Sequence, residues 1–249
     1  MAVTGWESFR DKFEGYEDCY TVIGGFACEI MLRHAQLNFR ATKDIDMILL
    51  IEDRLPDFGK VFWDYIKEGE YQCGWKQSPE LHFYRFTEPK SGFPVQIELF
   101  SRLPDYHLNS DSVIVPIHID GEISSLSAIV MNDDFYNLLQ AGRTVIDGVS
   151  TLNAEYLIPF KMYAWTDLLK KKDNGVHVND RDLTKHKLDV FRLLQVVTEN
   201  AHVDLTGLCL DAASEYIDRI NSETINMEQI GLAFTQQAAI QRLKELYSL

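Results

Sequence analysis

The chain has 249 residues, a net charge of −14, and 46% hydrophobic and 12% aromatic residues. That is enough apolar material for a packed core in one large domain or two small ones, and it excludes a disordered chain. So acidic a protein does not hold nucleic acid through its overall field, and no apolar run approaches the roughly 18 residues that span a bilayer, so no membrane partner is expected.

Cysteine usage and the N-terminus point to a compartment. Cys19, Cys28, Cys73 and Cys209 are scattered with no Cys-x-x-Cys pair, which fits reduced thiols better than disulfides or zinc. The opening MAVTGWESFR lacks a basic start followed by an apolar run, so a cytoplasmic location is expected.

In chain order, residues 4–18 predict an amphipathic helix with Trp6, Phe9 and Phe13 on one side. Tyr20–Ile23 is a short apolar strand. Gly24-Gly25 then allows a sharp turn and close backbone approach to a ligand. Phe26, Ile30, Leu32 and Leu37 fit a helix of roughly three turns ending before Asn38. A polar cluster, Arg40, Thr42 and Lys43, leads into Asp44-Ile45-Asp46 and an apolar strand to Ile51. Pro56–Lys67 predicts a helix with Phe58, Val61, Phe62 and Tyr65 facing inward. Leu81–Phe86 and Val95–Phe100 read as strands joined by the turn-rich residues 88–92. Val113–Ile119 reads as a strand that Pro116 confines to a sheet edge.

Asn132-Asp133-Asp134 can cap a short helix ending near Gly142, and Asp147-Gly148 is a tight-hairpin signal. From there the pattern is helical: Pro159–Lys172 stopped by Asp173-Asn174-Gly175, Asp182–Thr198 capped by Asp182, then Val203–Asn221 and Met227–Leu246. The expected fold class is α/β (α+β): a mixed-sheet domain over residues 1–150 followed by a helical domain over 151–249.

Three features carry chemistry. On a strand, residues i and i+2 share a face, so Asp44 and Asp46 aim two carboxylates at one spot while Ile45 points the other way. Two such carboxylates repel unless a cation lies between them, and a hard divalent ion such as magnesium suits them. The plain alternative is two solvated aspartates at a strand start. Second, Lys161 falls in the first turn of a helix beginning at Pro159, where its ammonium would add to the free amides in favouring an anion. Third, Lys185 and Asp189 are spaced i, i+4 with Arg192 on the same face; this is either an ordinary ion pair or a functional group, and His186 beside them is either a phosphate donor or a packed residue. From 160 to 192 eight Lys/Arg face five Asp, so that window carries +3 and the rest of the chain −17.

Gly24-Gly25, a helix, and then Arg40-x-Thr42-x-Asp44-Ile45-Asp46 resemble the signature of the polymerase-beta-type nucleotidyltransferase superfamily. The Arg-x-Thr-x-Asp-x-Asp form is closest to the AbiEii-like branch, the toxin half of type IV toxin–antitoxin systems. Lys161 and Lys185-His186-Lys187-Leu188-Asp189-Val190 extend the resemblance to about residue 195. It implies a nucleotidyltransferase domain that moves a nucleoside monophosphate from an NTP to an RNA such as tRNA, or to a protein, with a toxin role and a cognate antitoxin. In that pattern Asp44, Asp46 and Glu98, the third carboxylate on a neighbouring strand, hold one or two Mg²⁺ ions. Gly24, Gly25, Arg40, Thr42, Lys161 and Lys185 hold the nucleotide. Asp189 orients a base or lysine, or helps activate the acceptor. One departure is that Gly24-Gly25 replaces the Gly-Ser common in the superfamily, so no hydroxyl is available at the turn. The competing expectations are a catalytically inactive nucleotide- or partner-binding protein, and an antitoxin or structural role.

Overall fold

The protein is described by a computed structural model covering residues 5–40, 42–50, 55–77, 82–101, 115–116 and 132–249. Its contacts divide the chain into two compact units, Met1–His118 with Arg143–Leu152, and Ile119–Gly142 with Asn153–Leu249. Among the described residues no helix is long and apolar enough to cross a membrane.

The first unit is a mixed α/β structure. Helix α1 (Trp6–Lys12), β1 (Tyr20–Ile23), α2 (Gly24–His34), β2 (Asp44–Leu49), α3 (Leu55–Glu68), β3 (Gln72–Gln77), β4 (His82–Thr87), β5 (Gln96–Ser101) and β6 (Val115–Pro116) follow one another. The sheet order is β1-β2-β5-β4-β3-β6. The β2–β5 and β3–β6 pairs are parallel; β1–β2, β4–β5 and β3–β4 are antiparallel. Two residues around Pro116 form the edge strand, in line with a proline that cannot donate to a ladder; the rest of the expected 113–119 strand, like Ile51 and Leu81, lies outside the described residues. The strand β3 escapes the sequence pattern because Gly74 and the polar residues at either end hide its alternation.

The sheet register sorts side chains by face. Tyr20, Val22, Ile45, Met47, Leu49, Ile97, Leu99 and Phe86 share one face, and all are 2% exposed or less. Aromatic rings from α1 and α3 cover it: Phe62 lies 5.4 Å from Phe86, and Phe9 5.7 Å from Tyr20. Each large side chain so buried contributes about 1.5–3 kcal/mol. Trp63 and Ile66 join Phe58, Phe62 and Tyr65 in burial, whereas Val61 is half-buried. The opposite face carries Asp44, Asp46, Gln96, Glu98 and Arg85. The hairpin β7 (Arg143–Ile146) and β8 (Val149–Leu152) turns through Asp147 and Gly148, both with positive φ (51° and 78°), as a two-residue primed turn requires. It docks on β1, where Thr151 Oγ1 donates to the Val22 carbonyl at 3.2 Å.

The second unit is helical: α4 (Asp133–Gly142), α5 (Ala154–Asp173), α6 (Asp180–Leu194), α7 (Gly207–Asn221), a 3₁₀ turn (Glu228–Ile230) and α8 (Gln236–Tyr247). Long α5 packs against α4, α6 and α7, with Phe135 5.0 Å from Phe160 and Trp165 5.2 Å from Tyr216. Several helix starts differ from the sequence expectation. Helix α5 begins at Ala154, not Pro159, so the proline is interior. Such a proline strips the residue four earlier of its hydrogen bond; that carbonyl, of Glu155, instead accepts from the Tyr247 hydroxyl at 2.7 Å. Helix α6 is capped by Asn179, whose Oδ1 accepts from the Arg181 amide at 3.0 Å, not by Asp182. The segment expected as one helix from Val203 starts at Gly207, with Asp134 of α4 accepting from the Leu208 amide at 3.0 Å and from Thr206 Oγ1 at 3.1 Å. The last expected helix is a 3₁₀ turn and then α8, which Thr235 caps by accepting from the Ala238 amide.

Candidate functional site

The Gly-Gly turn and the Arg-x-Thr-x-Asp-x-Asp stretch meet in space. Ile23, the last residue of β1, pairs with Asp46. Gly24 then opens α2 at φ +71°, and a Cβ built on it would lie 1.8 Å from Asp46 Oδ2. Only glycine satisfies both the positive φ and the carboxylate against its α-carbon. A Cβ on Gly25 would meet Arg40 Nη2 at 3.4 Å and Thr42 Cβ at 3.5 Å. Residues 15 or more apart in sequence thus close over the first turn of one helix. Its N-cap residue, Ile23, makes no side-chain cap bond and the turn has no acidic residue of its own, and the amides of a helix start favour an anion. Thr42 Oγ1 also reaches the Asp44 carbonyl at 3.4 Å, and the Arg40 guanidinium lies over the Phe39 ring at 4.9 Å.

The carboxylates sit where strand geometry sends them. Asp44 is exposed and Asp46 half-buried, with Ile45 fully buried between them. On the adjacent parallel strand Glu98 pairs with Asp46 and Gln96 with Asp44. Glu98 is 4% exposed, not a solvated outer-face residue. Its Oε1 accepts from Arg85 Nε at 2.8 Å, Arg85 Nη2 at 2.7 Å and Gln96 Nε2 at 2.8 Å. Arg85 lies directly across β4–β5 from Glu98. Among the described residues no group of three or more His, Cys, Asp or Glu is arranged to hold a metal ion. Asp44 and Asp46 present carboxylate oxygens of the kind a hard cation takes, whereas one oxygen of Glu98 is already engaged by Arg85 and Gln96. Arg85 and Gln96 went unremarked in the sequence. The signal was there: both keep the same alternation phase as Glu98 in two strands predicted to neighbour each other.

The motif residues of the helical unit are placed as follows. Lys161 is the eighth residue of α5, two turns in, so the argument from the free amides of a helix N-terminus does not apply to it. It is 2% exposed, and no hydrogen bond or ion pair to it is found among the described residues. The other lysines of the basic window face acids: Lys170–Glu215 at 2.6 Å, Lys171–Asp167 at 2.6 Å, Lys172–Asp180 at 2.5 Å, Lys185–Asp182 at 3.5 Å and Lys187–Glu223 at 2.7 Å. Lys172 holds the Asp180 carboxyl below the usual carboxylate range, mainly by direct hydrogen bonding. Asp189 is fully buried and accepts from Arg192 Nη1 at 3.0 Å. His186 is buried on the same helix.

No family model matches the chain, and no curated protein matches it. Among solved structures it is similar to an antigenic nucleotidyltransferase-like protein from Paracoccidioides brasiliensis, with 11% identity and a TM-score of 0.47 over 96% of this chain and 90% of that one. It is also similar to protein JHP933 from Helicobacter pylori, with 14% identity and a TM-score of 0.42 over 97% and 87% of the two chains. A third is the Megavirus polyadenylate synthase, with 12% identity and a TM-score of 0.34 over 89% of this chain and 35% of that one.

Proposed function

We propose that the protein is a nucleotidyltransferase that moves a nucleoside monophosphate from an NTP to an RNA, tRNA being the first acceptor to test, or to a protein side chain. The observation that carries this reading is the convergence of Gly24, Gly25, Arg40, Thr42 and Asp46 on the uncapped first turn of α2. Backbone amides and a guanidinium there suit phosphate oxygens, and the neighbouring aspartates suit a cation. A Mg²⁺ ion on Asp44 and Asp46 would supply charge stabilisation to the attacking and leaving oxygens of an in-line displacement at the α-phosphorus. The acceptor hydroxyl gives up its proton to solvent as its oxygen forms the new P–O bond, the bond to the β-phosphate bridging oxygen breaks, and pyrophosphate departs with the negative charge. Arg40 and Thr42 hold phosphate or ribose. By the AbiEii-like resemblance, Lys161 and Lys185 are assigned to phosphate, and Asp189 to orienting a base or lysine or to helping activate the acceptor. A toxin role with a cognate antitoxin follows from the AbiEii-like signature alone.

A second reading, nucleotide or partner binding without chemistry, is favoured by one observation: the third carboxylate is held by Arg85. Incubation with each labelled NTP, Mg²⁺ and total cellular RNA separates the two. Label in RNA, absent with the Asp44→Asn/Asp46→Asn variant, supports the transferase. Label on protein moves the acceptor. Nucleotide binding with no label transferred selects the second reading.

A further inference from the structure

Asp46, Glu98 and Arg85 lie side by side on β2, β5 and β4, facing the same way from the sheet. Three donors converge on one oxygen of Glu98, and two of them belong to a guanidinium on β4, the side of β5 away from β2. The Glu98 side chain is 5% exposed and that of Arg85 17%. A carboxylate so desolvated needs a compensating charge at all times, and a charge-assisted guanidinium pair is the strong form of one. Arg85 therefore already supplies the positive charge that a second divalent ion would bring.

We propose that Arg85 is a positioning residue that holds Glu98 out of the cation site, so that the site takes one divalent ion, carried by Asp44 and Asp46. The inference rests on the transferase reading's cation at those aspartates and adds its number and the reason for it. The test is a titration of the full chain with Mn²⁺ alone, with free ion followed by electron paramagnetic resonance. The wild type binds one ion. Arg85→Gln releases Glu98, and Mn²⁺ then binds about 10-fold tighter or with a second ion, while Arg85→Lys keeps the wild-type count. If Arg85→Gln does not fold, the double variant Arg85→Gln/Glu98→Gln carries the test, because it exchanges an ion pair for two amides. It binds one ion within about 3-fold of wild type, since Glu98 is not a ligand. Two ions in the wild type, or an affinity loss of about 10-fold or more in the double variant, overturns the proposal and leaves the transferase reading standing. No Mn²⁺ bound at all overturns the proposal together with that reading's cation.

Discussion

Gly24 ties the backbone turn to the chemistry. Its φ of +71° is costly for any residue with a Cβ, and the space that a Cβ would fill is occupied by Asp46 Oδ2. Gly24→Ala is expected to cost about 1–3 kcal/mol of stability and to push the Asp46 carboxylate off its position, abolishing nucleotide turnover. Chemical denaturation and a labelled-NTP assay read the two effects, and an alanine variant with full activity would disprove the contact's role. Asp44→Asn/Asp46→Asn should also abolish turnover, but here stability holds or rises in the absence of metal, because two like charges are removed from one face. Lys161→Ala is expected to weaken triphosphate binding and leave nucleoside binding unchanged; calorimetry showing both falling together would mean that Lys161 acts through structure alone. The spacing Gly24-Gly25 to Asp44-x-Asp46 was legible because each residue's role follows from local geometry, a positive φ or an i, i+2 phase. Arg85 was harder to see: a turn joins its strand to that of Glu98, but its role depends on the register between the two, which neither run states by itself.

At the scale of elements, Pro159 shows how a tertiary contact overrides a sequence rule. Proline favours the first helical turn, so a helix beginning there was the natural expectation. Instead α5 continues five residues further back, and Tyr247, from the last turn of α8, donates to the carbonyl of Glu155 that the proline leaves bare. Tyr247→Phe therefore costs about 1–3 kcal/mol, the penalty of a buried acceptor left unmet. Pro159→Ala restores an amide donor to that carbonyl, and in its background the Tyr247→Phe loss should shrink by about half or more. Urea unfolding of the four proteins in the cycle checks this; additive losses would show that the hydroxyl does not answer the proline. The strands other than β3, the Asp-Gly hairpin and the amphipathic α3 were readable from period and turn chemistry. The true starts of α5, α6 and α7 were not: α5 begins after Asn153 with no side-chain cap, α6 is capped by Asn179 and α7 by Asp134, which lies 73 residues from the start of that helix.

For the whole molecule, the charge balance and the buried titratable groups predict behaviour with pH. The basic window between 160 and 192 carries +3, yet Lys170, Lys171, Lys172, Lys185 and Lys187 pair with neighbouring acids, and such surface pairs are worth little. Recognition of RNA would then depend on the site and not on a general field, consistent with the net charge of −14. The same packing that hides polar groups shapes the alkaline limit. Burial, with the Asp134 charge adding to it, pushes the Cys209 thiol from 9.0 up to about 12. Burial also raises the Tyr216 and Tyr247 hydroxyls well above the usual tyrosine range. The folded chain keeps these protons where the unfolded chain releases them, so the unfolded state binds fewer protons and stability falls as pH rises. The contribution from Cys209 is whole below pH 9 and is lost progressively between there and about 12. Urea midpoints measured from pH 8 to 10 should therefore decline, and the decline should be shallower in Cys209→Ala, which lacks the titrating thiol even though it is less stable at pH 8. Equal slopes for the two proteins would show that the thiol reaches solvent in the native state, against the buried position that the packing of α7 gives it.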